Sequence, residues 1–412
     1  MTMNRSNALS SLVAMALAGG ATSALAGDES DPYTLGVSQS FAADTNLFRV
    51  PDGSAYRPRD IISSTGLRAA IDQPFGRQRF SAGLDANINR YKNNTQLNNT
   101  DHRLSARLDW STVERVSGEL TAEQRNSLYR YDLDSQSRFT GKNQLRTTGA
   151  GLQVRVGVVT AWTLDGGWAG NQSRYSAEQF SNRDVRQQTV NAGVRWADSD
   201  ALSVRLGGRH TEGRFPNFGV EPDVFRRNDV DLSMVAKPNG LSTVNARVSV
   251  TRENHSVQAQ RDDSSWTGAL GWNWQATGKL SFETLLSRDS SVGSSTYGTA
   301  LNDIDSSDTR ISQGVQLNAR WDATAKIQAT ARVGYTRRKL DNAFIVNGVN
   351  TPSEGEDATT TVGFGLAWQP IRALQLACNI GHERRRVVGD NLTITYPYRA
   401  TTGNCSGQFS MR

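Results

Sequence analysis

The sequence lacks any apolar run, beyond its N-terminus, that is long enough for a transmembrane helix. Only 37% of its 412 residues are hydrophobic, whereas a membrane-spanning helix needs about 20 consecutive apolar residues. A bundle of membrane helices is therefore excluded. A transmembrane β-barrel is not excluded, because its strands alternate apolar and polar residues and so keep the average composition hydrophilic.

Catalytic and metal-binding motifs are also missing. The chain has two cysteines and four histidines, without the CxxC or HxxxH spacing that holds zinc. It has no GxSxG elbow, phosphate-binding loop or dinucleotide fingerprint. Asp303, Asp305 and Asp308 have a spacing that could hold Ca²⁺, but the glycine and distal glutamate of an EF-hand are absent, which favours solvated loop acids. We predict no enzyme, no cofactor and no metal site.

The charge distribution argues against a nucleic-acid partner. A total of 46 basic against 40 acidic residues gives a net charge of +6, and the basic residues are spread along the chain. Nucleic-acid binding usually requires a dense basic stripe. We therefore expect no nucleic acid among the partners.

The N-terminus has the features of a secretory signal peptide. Arg5 supplies a positive charge, residues 8–18 form a modest apolar core, and Ala24-Leu25-Ala26 is a small-residue cleavage site before Gly27. A short buried helix is the disfavoured alternative, because a long polar chain without helical periodicity follows. We predict that residues 1–26 are a signal peptide and that residues 27–412 form one outer-membrane barrel.

The stretch 361–380 shows the pattern that recurs along the mature chain. Val362, Phe364, Leu366 and Trp368 alternate with glycine, alanine and threonine, a turn containing a proline follows, and residues 374–380 alternate again. Each arm is a strand that is apolar on one face. Such a hairpin is typical of a transmembrane β-barrel, with the apolar face toward lipid and the other face toward a lumen.

About 18 such strands can be counted, joined alternately by eight short turns and nine long loops, including a polar loop at 211–226 and another at 339–357. The prediction is an all-β fold, an antiparallel up-and-down barrel in the bacterial outer membrane. A soluble β-sandwich or propeller is disfavoured, since neither would place its tryptophans at the short turns. Six of the nine tryptophans do lie there: Trp110, Trp162, Trp196, Trp274, Trp321 and Trp368.

The polar face of the predicted strands carries charges of both signs. We predict that six arginines line the lumen and contact solute: Arg107, Arg155, Arg205, Arg247, Arg320 and Arg332. Acids of the same parity include Asp109, Glu119 and Asp165. One interpretation is a polar conduit whose guanidinium forks bind anionic or hydroxyl-rich solutes. The other is a set of salt bridges that only stiffen the wall.

The two cysteines, Cys378 and Cys405, fall in the last two predicted strands. If that hairpin turns near residues 390–392, Cys378 faces Cys405 and Ile380 faces Gly403, with both thiols on the lipid side. Export into an oxidising compartment permits a cross-strand disulfide. Two free thiols remain the alternative.

Four segments resemble a known family. They are Asp44-Thr45-Asn46-Leu47-Phe48-Arg49, the LxAxLxW run of residues 104–110, the LxLACxxxxERR run of residues 374–385, and the CSGQF of residues 405–409. Through them the chain resembles the EpsL outer-membrane proteins of exopolysaccharide-biosynthesis operons, related to the β-barrel porin type 2 group. The resemblance covers the whole mature chain and supplies no catalytic residues.

The resemblance implies a role in the export or assembly of an extracellular polysaccharide through the arginine-lined lumen. The implied partners are outer-membrane lipid, a polysaccharide or other polar solute, and periplasmic export components. The residues alone allow a general diffusion porin for small-solute uptake equally well. A docking barrel for a periplasmic partner also stays open.

Overall fold

The computed structural model describes residues 32–54, 58–112, 115–129, 140–157, 160–218, 221–257, 262–290, 309–346, 349–388 and 395–411. The predicted signal peptide and Asp303, Asp305 and Asp308 lie outside these ranges. The described residues form 18 strands: β1 Tyr33–Asp44, β2 Asp60–Phe75, β3 Gln78–Tyr91, β4 Asn99–Ser111, β5 Val116–Leu128, β6 Gln144–Val156, β7 Trp162–Tyr175, β8 Val185–Ser199, β9 Leu202–Phe215, β10 Asp223–Asn239, β11 Ser242–His255, β12 Asp263–Gln275, β13 Leu280–Ser290, β14 Thr309–Asp322, β15 Ile327–Val346, β16 Val349–Ile371, β17 Leu374–Val388 and β18 Tyr398–Met411.

The strands form one closed antiparallel barrel. Each strand pairs with its sequence neighbours, and β1 pairs with both β2 and β18, which joins the two ends of the sheet. The predicted 18-strand up-and-down barrel is confirmed. Two short 3₁₀ helices, Thr95–Leu97 and Glu178–Arg183, lie in loops. No helix in the described ranges is long and apolar enough to span a membrane.

The outer surface carries an apolar band, because the strands alternate as the sequence predicts. On β16 the side chains of Val362, Phe364, Leu366 and Trp368 are all about half exposed, and equivalent residues on the neighbouring strands continue the band. Exposed apolar surface of this extent is stable only against lipid. The six tryptophans near the short turns lie at one rim of the band, at the level of a membrane interface.

The short turns gather at that same rim. The turn between β2 and β3 is the tightest kind, and Gly76 occupies it with φ +62°, a conformation that disfavours a side chain. The longer connections lie at the opposite end of the barrel. In barrels of the outer membrane the short turns face the periplasm and the long loops face outward.

The segment after β1 stabilises the seam of the barrel, where the first and last strands pair, at the long-loop end. The amide of buried Asn46 donates to the carbonyls of Val50 (3.0 Å) and Arg399 (3.1 Å), while its oxygen accepts from the Val50 N–H at 2.9 Å. Arg49, at φ 51°, pairs with Asp44 at 2.8 Å and reaches Glu383 of β17 at 3.5 Å. This segment therefore links β1 to β17 and β18.

The predicted loop at 339–357 is wrong, and the one at 211–226 is too long. β15 and β16 continue as a paired hairpin up to Val346 and Val349, and β9 and β10 extend to Phe215 and Asp223. Beyond the apolar band the outward residues face water instead of lipid, so polar cross-strand pairs can maintain the strands there. The apolar alternation by which strands were recognised is therefore lost before the strands end.

Candidate functional site: the lumen wall

The six predicted arginines all project from the inner face, since each alternates with outward apolar residues. Five of them form salt bridges, at these shortest N–O distances: Arg107–Asp109 2.8 Å, Arg107–Glu119 3.0 Å, Arg155–Glu119 3.9 Å, Arg205–Asp165 2.6 Å, Arg247–Asp231 3.9 Å and Arg320–Asp322 3.2 Å. Three of these ion pairs link adjacent strands (Arg107–Glu119, Arg155–Glu119 and Arg247–Asp231), Arg205–Asp165 spans from β9 to β7, and the other two lie within one strand. These pairs hold the guanidinium groups in fixed positions.

Arg332 differs from the other five. It donates from Nε to Asn318 Oδ1 at 2.9 Å and is solvent-exposed on the inner face. Within the described part of the chain no carboxylate forms a salt bridge with it. Its neighbour on β14, Arg320, keeps 44% of its side chain exposed. β14 and β15 therefore present accessible positive charge to the lumen.

A densely buried ion-pair network covers the inner face of β9, β10 and β11. Asp229 accepts from Arg209 at 2.9 Å and from Arg227 at 3.0 Å, and all three side chains are at most 3% exposed. Arg227 also approaches Glu253 at 3.8 Å. Charges buried this deeply need such mutual pairing. This part of the wall is therefore packed, and solute has less access to it than to β14 and β15.

A second buried network joins β15, β16 and β17 near the long-loop end. Arg338 binds Asp357 through two hydrogen bonds of 2.9 and 2.6 Å, and Thr395 donates to the same carboxylate at 2.8 Å. Arg385 lies 3.8 Å from Asp357 and stacks on the Tyr398 ring at 4.5 Å. Apolar alternation does not reveal this group, because Asp357 falls at the end of the segment predicted as the loop 339–357 and Arg338 immediately precedes that segment.

Cys378 and Cys405 lie on the outer face of β17 and β18. The register pairs Cys378 with Cys405 and Ile380 with Gly403, as the sequence predicts. Their Cα atoms are 4.1 Å apart and their sulfur atoms 2.17 Å apart. This geometry is compatible with the disulfide, which remains a prediction for chemical test.

Metal-ligating side chains do not cluster in the described part of the chain. No group of three or more His, Cys, Asp or Glu residues there could hold a metal ion. The most enclosed imidazole, that of His255, contacts Asp223 at 2.7 Å and Glu253 at 3.0 Å. It therefore belongs to the buried polar packing of β10 and β11.

Comparison with known proteins identifies the fold. No protein-family model and no curated protein matches the sequence. Among solved structures, the outer membrane protein OpdK of Pseudomonas aeruginosa superposes with a TM-score of 0.50 at 14% identity, covering 92% of this chain and 99% of its own. An improved structure of that protein, also called OccK1, gives 0.51 at 14% identity, covering 92% and 98%. A BenF-like porin from Pseudomonas fluorescens Pf-5 gives 0.50 at 14%, covering 92% and 99%.

The resemblance to EpsL proteins is wrong. The solved structures compared above, OpdK and a BenF-like porin, are porins and not EpsL-type polysaccharide proteins. The export role and the periplasmic export components rested on that resemblance and have no other support. The chain is an 18-strand β-barrel of the bacterial outer membrane with a porin-like fold.

Proposed function

We propose that the protein is a diffusion channel through which small polar solutes cross the outer membrane. The observation that supports this best is the position of Arg332. It lies between outward-facing Ala331 and Val333, inside the apolar band, yet its own side chain is exposed. A charged side chain at this depth needs water or a partner charge around it. An exposed, unbridged guanidinium therefore supports an aqueous lumen at the level of the membrane interior.

The size of the barrel and the chemistry of its wall support the same proposal. Barrels of 16 to 18 strands usually enclose an aqueous channel. The proposed solute contacts are the six lumen arginines. Arg332 is exposed, and the exposed side-chain fractions of the other five are 44% for Arg320, 33% for Arg155, 28% for Arg107, 20% for Arg205 and 16% for Arg247. Many weak contacts suit conduction, because a tightly held solute cannot leave.

We infer that small organic anions are the favoured solutes. The neighbour OpdK has been crystallised with vanillate, and that structure superposes on this chain with a TM-score of 0.50 at 13% identity, covering 92% of this chain and 99% of that one. Vanillate carries a carboxylate, which the planar guanidinium fork can bind with two parallel hydrogen bonds. Arg332 and Arg320 offer such forks on adjacent strands. Catalysis forms no part of the proposal.

Uptake into proteoliposomes tests the proposal. Liposomes containing the purified barrel should swell in vanillate or a similarly sized carboxylate, and more slowly in a neutral solute of the same size. Arg332→Gln should reduce the carboxylate rate roughly tenfold, the effect of losing one charge-assisted hydrogen bond. Arg337→Gln is the matched control, since Arg337 lies on the same strand but faces outward.

Two results would contradict the proposal. Absence of swelling in every small solute, from barrels shown to be folded, would exclude a diffusion channel. Equal carboxylate rates for Arg332→Gln and the unmodified protein would exclude the assigned role of Arg332.

A further inference from the structure

Four arginines form an unusual group on the outer face of β6 to β9. Arg146 is the direct cross-strand partner of Arg174, and Arg186 is the direct partner of Arg214. All four side chains are exposed. Like charges placed directly opposite each other destabilise a sheet. Their arrangement is therefore unfavourable unless something negatively charged binds there.

Within the described residues, no carboxylate forms a salt bridge with any of the four. Some outward arginines elsewhere on the barrel have acidic partners: Arg226 pairs with Glu212 at 3.6 Å, Arg399 with Asp52 at 3.2 Å, and Arg337 with Glu356. The group on β6 to β9 is distinguished by its geometry, because two directly opposed pairs of unbridged arginines lie there side by side.

Arg174 and Arg186 converge on one point. With the Gln172 amide oriented to satisfy its neighbours, its oxygen accepts from Arg174 at 2.9 Å and from Arg186 at 3.0 Å. Gln172, Arg174, Arg186, Asp184 and Asn217 line a polar cleft of about 340 Å³. Two guanidinium groups that share one neutral oxygen can both reach a single phosphate placed in the cleft.

Asp184 is the acidic group of this cleft. It accepts from the Tyr175 N–H at 2.8 Å and from Asn217 at 3.3 Å. Burial raises its pKa above the usual value, although those hydrogen bonds and the charge of Arg174 oppose the shift. One carboxylate cannot neutralise four guanidinium groups, so the patch stays strongly positive.

The patch lies at the height of the lipid headgroups. On β7, Arg174 is 12 residues from Trp162, which lies at the short-turn rim. That separation is about 40 Å along the strand, or roughly 30 Å along the membrane normal at the usual strand tilt. The hydrocarbon core is about 30 Å thick. The arginines therefore face the headgroups of the leaflet on the long-loop side.

We propose that Arg174 and Arg186, flanked by Arg146 and Arg214, bind the phosphate group of an outer-leaflet lipid. The site is independent of the channel function, since it faces away from the lumen. Its occupant is a phosphorylated lipid, because the cleft lies on the outer face at the edge of the apolar band, where the lipid headgroups are.

Lipid binding can be measured on the intact barrel by native mass spectrometry in detergent. The probes are diphosphoryl lipid A, the monophosphoryl form, phosphatidylcholine and inorganic phosphate. Arg174→Gln combined with Arg186→Gln should weaken diphosphoryl lipid A binding about thirtyfold or more, from at least about fivefold for each charge-assisted hydrogen bond to the phosphate that is lost. Arg252→Gln combined with Arg337→Gln removes the same charge from exposed outward positions away from the cleft, where no such hydrogen bond is made, and should leave the affinity within about twofold.

Further readouts distinguish lipid binding from a structural role and from binding of free phosphate. Without lipid, the Arg174 and Arg186 double variant should unfold at the same or a higher urea concentration than the unmodified barrel, because like-charge repulsion has been removed. Inorganic phosphate should not displace the lipid at equal concentration. The proposal is overturned if the double variant binds lipid A normally, if the control variant loses as much affinity, or if inorganic phosphate alone competes equally.

Discussion

At the scale of single residues, Asn46 shows that a sequence motif of low specificity has a definite structural role. The segment 44–49 was noted in the sequence as part of a resemblance that proved wrong. In the structure its asparagine is 1% exposed, and one of its three side-chain hydrogen bonds, to the Arg399 carbonyl, crosses the seam between β1 and β18, while the other two fix the local chain at Val50. The motif therefore contributes to closure of the barrel, whatever the family.

Replacing buried Asn46 by alanine should lower the free energy of unfolding by about 2 to 3 kcal/mol, because the carbonyls of Val50 and Arg399 lose their donor and the Val50 N–H loses its acceptor. Urea titration of the detergent-folded barrel, followed on gels by its heat-modifiable band, measures this. Asn182→Ala, at an exposed loop position, should stay within about 0.5 kcal/mol. An Asn46→Ala barrel as stable as the control would show that the seam does not depend on this side chain.

The pairing of Cys378 and Cys405 makes a second prediction at this scale. Their Cα atoms are 4.1 Å apart in directly opposed positions, so oxidation needs little backbone movement. Peptide mapping of protein isolated from the membrane without reductant should find one crosslinked pair. Recovery of two alkylatable thiols from the same preparation would disprove the disulfide.

At the scale of elements, the long hairpin of β15 and β16 tests how strands persist outside the membrane. Asp357 is fully buried between Arg338 and Arg385. Asp357→Asn would leave two buried guanidinium groups without their carboxylate, and removal of one partner of a buried pair costs about 3 to 5 kcal/mol. We expect a matching fall in the urea stability of the barrel, or early proteolysis within the hairpin.

The matched control is Glu212→Gln, which breaks the exposed pair with Arg226, whose side chains are 55% and 68% exposed. Exposed pairs contribute about 1 kcal/mol or less, so this variant should behave like the unmodified protein. If Asp357→Asn also behaves so, the buried network does not stabilise the extended hairpin.

The same elements show what could be predicted from the sequence. Alternation of apolar residues identified the strands and even the register of Cys378 with Cys405, because one face of each strand must meet lipid. Apolar alternation failed to identify the strands at 339–357, because the outward residues there face water and need not be apolar. It placed Arg205 and Asp165 on one face, but the pairing of particular charges across strands depends on stagger between strands, which periodicity does not encode.

At the scale of the whole molecule, one face of the barrel serves lipid and the other serves water. Phe364 is exposed on the outer face and Arg332 on the inner face, at similar depth on adjacent strands. Exposure of both side chains is favourable only if a closed wall separates the hydrocarbon from an aqueous lumen. The porin-like fold and the exposed lumen charges thus support a single account, an open channel in the outer membrane.

Single-channel recording in a planar lipid bilayer tests that account most directly. Addition of the purified, folded barrel should produce discrete, equal conductance steps that remain open at low voltage. Reversal potentials in a salt gradient should show anion preference that decreases in Arg332→Gln and is unchanged in Arg337→Gln. A folded barrel that inserts into the bilayer without any conductance would contradict the account.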